Sequence, residues 1–98
     1  MSQRLVFRPA ALKEIHKAAE WYEKRGPGLT AEFLRAVDAA VASVRRNPDQ
    51  YPVVHKEMRR ALLRRFPYSL IYTVSEEELI VLACAHWRQR PSRWQNRH

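Results

Sequence analysis

The residues best equipped for chemistry stand where an apolar run ends. Leu79 to Ala85 stops at His86, and the phrase "AHWRQRPSRW", residues 85–94, then gathers two tryptophans, three arginines and a proline with no acid among them. A histidine whose ordinary pKa lies near neutrality is suited to general acid or base work. The plainer reading is a structural histidine bonded to a neighbouring carbonyl. A second basic cluster, "RRALLRR" at residues 59–65, reads as strand. That places Arg60 and Arg64 on one face and Arg59 and Arg65 nearer the other. Guanidinium forks match phosphates and carboxylates, so one row suits an RNA backbone or an acidic peptide. The same charges equally suit an edge strand guarded against aggregation. Trp87 and Trp94 offer faces on which bases stack. They also suit the anchoring of a terminus, and the spacing from Pro91 to Trp94 favours anchoring for Trp94.

The rest of the chain is poorer in chemistry. His16, His55, His86 and His98 have no metal-ligand spacing, and Cys84 stands alone, so no metal is expected. Cys84 reads as a small buried residue. His16 with Glu20, and Glu20 with Lys24, are helix-spaced pairs worth roughly 0.2–0.5 kcal/mol each. There is no phosphate loop, paired-carboxylate motif or nucleophile elbow, and no cofactor is implied.

The elements that position these groups follow from hydrophobic period. "QRLVFRP" is a short strand ended by Pro9, which suits the first turn of a helix. Leu12, Ile15, Ala19 and Tyr22 recur at spacings of three and four, the stripe of a first helix. "RGPG" breaks it. A second helix runs from about Leu29, with Phe33, Val37, Ala40, Val41 and Val44 inward, and "NPDQYP" ends it. So short a break makes the two helices an antiparallel hairpin. The second half changes period: "EMRRALLRRF" alternates, "PYSLIYTV" is rich in strand formers, and "ELIVLACAHW" is apolar on both faces. "SEEE" turns the last two into a hairpin. The expected order is β-α-α-β-β-β, an α+β fold in one domain spanning 1–98, with the helical hairpin on one face of the sheet.

The bulk numbers narrow the function classes. A chain of 98 residues has room for one core, and 46% hydrophobic content is too apolar for disorder. No apolar run is long enough to span a bilayer, and the N-terminus lacks a signal-peptide stretch. A lone cysteine fits a reducing compartment, so the cytoplasm is expected. The formal charge is +8 and the pI about 10.4. The C-terminal half is the more basic, with 9 basic and 4 acidic residues against 9 and 6 before it. Such a balance favours an anionic partner, whether nucleic acid, ribosome or acidic protein segment, or serves as a solubilising surface.

Taken together, the pattern resembles the ParE/RelE toxin superfamily of bacterial type II toxin–antitoxin systems, and within it the ParE-like, plasmid-stabilisation branch. The resemblance covers nearly the whole chain. It runs from the first strand through "ALKEIHKAAEWY", Phe33, "NPDQYP" and "RRFPYSLIYTV" to "AHWRQRPSRWQNR". The most specific stretches are "FPYSLIY" and the run from His86 through Pro91 to Trp94. The resemblance implies a helical hairpin against a twisted antiparallel sheet. It implies a cognate antitoxin, acidic, whose C-terminal segment wraps the toxin, in a hetero-oligomer or beside a toxin homodimer. ParE-like members are associated with inhibition of DNA gyrase, and RelE-like members with ribosome-dependent cleavage of mRNA.

The residues help to choose between the branches. Cleavage needs cations at the scissile phosphate and a group that moves protons. In the RelE-like pattern an arginine sits inside the third strand; here that position is Ser69. Arg60, Arg65 and His86 are the candidates for a reduced catalytic site. Without the strand arginine, a toxin that acts by binding gyrase is the leading expectation and the endoribonuclease the alternative. The surface that meets target or antitoxin is then assigned to Arg59, Arg64, Trp87, Arg88, Arg90, Arg93, Trp94 and Arg97. Trp94 pins the end back, and Arg88, Arg90, Arg93 and Arg97 stand at the rim.

Overall fold

The structure, a computed structural model, describes residues 3–98. The chain forms β1 (Arg4–Phe7), α1 (Pro9–Glu23), α2 (Leu29–Arg46), β2 (Val53–His55), β3 (Met58–Leu62), β4 (Tyr68–Val74) and β5 (Glu78–His86). Short 3-10 turns at Pro48–Gln50 and Pro91–Arg93 follow α2 and β5. No described helix is long and apolar enough to cross a membrane.

One sheet of order β1-β5-β4-β3-β2 carries everything else. It has one strand more than expected. β2 is only three residues long, and its pairing with β3 shifts register between Val53 and His55; so short and irregular a strand leaves almost no periodic signal. β2 through β5 are antiparallel as expected, but β1 pairs parallel with β5, with Phe7 opposite Val81. The sheet is therefore mixed. The two differences have one cause: the unread strand adds one reversal of the chain, so β5 lies along β1 rather than against it.

α1 starts at Pro9, whose fixed φ suits a first turn. Its buried stripe is Ala11, Ile15, Ala18 and Tyr22, and Leu12 is 42% exposed. The expected stripe was thus right at Ile15 and Tyr22 and displaced by one residue at Leu12 and Ala19. α2 buries Phe33, Val37, Ala40, Val41 and Val44, as its spacing predicts. Between the helices Gly28 takes φ 83°, a left-handed conformation that costs glycine nothing. The Thr30 hydroxyl then donates to Ala19 O at 2.8 Å, tying α2 back to α1.

The helices cover one face of the sheet over Ala61, Leu63, Leu70, Tyr72, Leu79, Val81 and Cys84. The centre of this core is aromatic: Phe33 lies 5.3 Å from Phe66 and 5.5 Å from Tyr68, both edge-on. A smaller apolar cluster occupies the opposite face, where Met58, Ile71, Leu82, Ala83 and Ala85 are roofed by Trp94. β5 serves both faces by alternation, and its register slips against β4, so the inward positions change parity from Leu79 and Val81 to Cys84. Ile71 faces Ala83 and Tyr72 faces Val81, so Leu82 is an extra residue, a β-bulge. The linker after α2 is fixed by two groups from the sheet. The Tyr72 hydroxyl donates to Pro48 O at 2.6 Å, and Arg59 donates to Asp49 O and Tyr51 O.

Candidate functional site

The basic end of the chain is built on the first residue of β4 and the last residues of β5. Tyr68 stands opposite His86, and their rings meet edge-on at 5.1 Å. β5 ends there, and the Trp87 amide donates to Pro67 O at 2.9 Å. His86 then organises the turn. Its Nδ1 accepts from the Arg88 amide at 3.0 Å, and its own amide donates to Gln89 Oε1 at 3.1 Å. Because Nδ1 is an acceptor, the proton of the neutral ring sits on Nε2. The partner is thus an amide, where the plainer sequence reading has a carbonyl.

Two cavities flank this histidine. On the helix side a cavity of about 390 Å³ is floored by Ala18, Tyr22, Tyr68 and Cys84, with Lys17 and Arg93 among its lining residues. Burial raises the phenols of Tyr22 and Tyr68 and pushes the Cys84 thiol up to about 12, so that thiol is protonated and inert at neutral pH. On the opposite face a cavity of about 110 Å³ is lined by Arg60, Ser69, His86, Trp87 and Trp94. Ser69, at the strand position singled out in the sequence, is buried at 2% exposure and lines that cavity.

The structure gathers some of the expected residues and disperses others. Arg60 and His86 share the smaller cavity. Arg64 and Arg65 do not extend β3, which ends at Leu62. They lie in the turn to β4, where Arg65 takes φ 69°, so alternation does not assign their faces. Arg64 lines a different groove, with Arg46, Tyr51 and Leu62. Trp87 is 61% exposed, and Arg88, Arg90 and Arg93 are exposed around it. Trp94 is 6% exposed, turned onto the core of the outer face.

Two arginines assigned to the contact surface are held inside the fold. Arg59 holds the linker carbonyls and pairs with Asp49 at 3.6 Å, because the inward parity of its strand position points it at that linker. Arg97 turns back to make a two-pronged pair with Glu14, at 2.8 and 2.9 Å, and a bond to Leu82 O at 3.1 Å. Glu14 is the residue sequence reading passed over. The signal available was its place on α1 beside the Ala11, Ile15 and Ala18 stripe, where a lone carboxylate half inside a core needs a cation.

A two-helix hairpin over a mixed five-stranded sheet, ending in a basic arc, defines a class of small α+β protein shared with known structures. A structure described as the chromosomal ParDE toxin–antitoxin system from P. aeruginosa matches at 18% identity and TM-score 0.75, over 87% of this chain and 96% of that one. The RelBE2 toxin–antitoxin complex from Mycobacterium tuberculosis matches at 20% identity and TM-score 0.59, over 88% and 99%. At such identities these matches speak for the fold. No curated protein matches the chain. The family model for the ParE toxin of the parDE type II toxin–antitoxin system matches residues 5–91. The chain belongs to the ParE toxin family.

Proposed function

We propose that this ParE-family toxin acts by binding rather than by cutting, that its target is DNA gyrase, and that an acidic cognate antitoxin neutralises it in the cytoplasm. The contact surface is the arc of Trp87, Arg88, Arg90 and Arg93, with Arg60 beside it in the cavity that Trp87 lines. One observation carries the choice of binding over cleavage. In the smaller cavity beside His86 the lining supplies one arginine, Arg60, and the strand position that would bring a second is the buried Ser69, while Lys17 and Arg93 line the other cavity, on the helix side of the sheet. A phosphodiester reaching its transition state needs more positive charge than that. An exposed tryptophan among exposed arginines, by contrast, has the composition of a protein-binding hot spot. The net charge of +8 supports an acidic neutraliser, and both similar structures are recorded as toxin–antitoxin assemblies.

The test is induction of the chain alone in a bacterial host carrying a DNA-damage reporter, followed by a supercoiling assay with purified gyrase. Arrest with reporter induction, and supercoiling inhibited by wild type but not by Trp87→Ala, is the expected result. Free growth would remove the proposal. Arrest without the reporter would favour ribosome-dependent mRNA cleavage, the second reading. Its support is the shared cavity of Arg60 and His86. In that case Arg60→Ala and His86→Ala should each abolish cleavage in a translating extract.

A further inference from the structure

β5 is longer than the strand beside it. β1 stops at Phe7, opposite Val81, and Pro9 starts α1 at once. The last backbone bond between them runs from the Arg8 amide to Val81 O at 3.0 Å. From Leu82 to His86 that side of β5 has no neighbouring strand. Side chains meet its backbone instead. Arg97 Nη1 donates to Leu82 O at 3.1 Å, Glu14 Oε1 accepts from the Cys84 amide at 3.0 Å, and Gln89 Oε1 accepts from the His86 amide at 3.1 Å. Glu14 and Arg97 are bonded to each other through both prongs, and their side chains are only 19% and 23% exposed.

In a parallel ladder one residue donates its N–H to the carbonyl of residue i opposite and accepts from the N–H of residue i+2. Arg97 and Glu14 together do both, at Leu82 and at Cys84. We infer that the Glu14–Arg97 pair is a surrogate strand residue that continues the β1 ladder along β5. It closes an edge that would otherwise template another strand. It also fastens the segment bearing Arg88, Arg90 and Arg93 to α1, so Glu14 is a positioning residue for the basic arc. The pair has a polarity. The acceptor must face Cys84 and the donor must face Leu82, whereas a plain ion pair works either way round.

That polarity is the test. Hydrogen exchange of the Cys84 amide is followed by NMR on the full chain, with far-UV dichroism to confirm folding. Arg97→Ala should speed exchange on the order of tenfold or more, since the bond it supports is charge-assisted. The reversed pair, Glu14→Arg with Arg97→Glu, restores the attraction but sets a donor against the Cys84 amide, and should exchange as fast as Arg97→Ala. Recovery of protection in the reversed pair would overturn the inference and leave an ordinary salt bridge. Glu14→Gln and Glu14→Ala give an independent reading should the Arg97 variants fold poorly. Glutamine keeps an acceptor for Cys84 and should retain more protection than alanine. Equal loss in the two would also overturn it.

Discussion

Replacing Trp94 with alanine probes the link between the basic arc and the fold. The indole roofs Met58, Ile71, Leu82, Ala83 and Ala85 and is 6% exposed. Cutting a buried tryptophan to alanine costs about 3–5 kcal/mol. A domain of this size holds only about 5–15 kcal/mol in all. The residues after Trp87 can also come away without unfolding the sheet. Keeping them docked costs backbone entropy of about 1–2 kcal/mol per residue, now opposed mainly by the Arg97 contacts and the Gln89 bond. The expected loss is therefore about 3 kcal/mol, a fall in Tm of about 12–24 °C at 4–8 °C per kcal/mol. Because the detached segment is already exposed in the folded variant, the urea m-value should fall as well. Urea unfolding followed by far-UV dichroism measures both. A loss under about 1 kcal/mol with an unchanged m-value would refute the claim that Trp94 holds the arc down.

Four further outcomes follow from the contacts and exposures described above. Burial pushes the Tyr72 phenol up to about 12 from an ordinary value of 10.0, so the fold favours its neutral form. That stability is complete below about pH 10 and drains as pH rises towards 12. Tyr72→Phe should flatten that alkaline slope and, by losing the bond to Pro48 O, cost about 1 kcal/mol at neutral pH in denaturant melts. The Cys84 thiol, pushed to about 12 and 1% exposed at the floor of its cavity, should react slowly with a bulky thiol reagent, and full labelling within seconds of mixing would contradict its burial. Phe33→Ala should remove about 3–5 kcal/mol by emptying the ring cluster with Phe66 and Tyr68, while Trp87→Ala should stay within about 0.5 kcal/mol of wild type because its ring is exposed.

The sequence made most of the frame readable because its signals are periodic. Phe33, Val37, Ala40, Val41 and Val44 mark α2 without ambiguity, and "LIVLACA" marks a strand apolar on both faces. β2 escaped because three residues in an irregular register cannot show a period. The site was legible in its residue types and not in its geometry. Trp87 and Arg88 stand exposed, but Arg59 and Arg97 carry the same chemistry and are held inside the fold. What separates them is a carbonyl or carboxylate that the fold brings to the guanidinium: Asp49 O and Tyr51 O, from the linker before β2, for one, Glu14 and Leu82 O for the other. Only tertiary structure supplies those partners. Arg65 could not be placed for a local reason: β3 ends at Leu62, and Arg65 lies past it in a turn with a left-handed backbone, where the alternation that sequence reading extended no longer holds.

The neighbouring of β1 and β5 has a consequence for synthesis. The first strand of the sheet finds its hydrogen-bonding partner in the last, and Arg4 pairs with Glu78 across that seam. A ribosome adding about 5–20 residues per second therefore exposes Arg4–Phe7 for seconds before Glu78–His86 emerges to cover it. During that interval the helical hairpin has no sheet to rest on, and its Phe33 and Tyr22 stay open to solvent or to whatever else will bind them. A nascent chain of this topology gains its closed surface only after β5 has been made, and the contacts of Trp94 and Arg97 can form only after it.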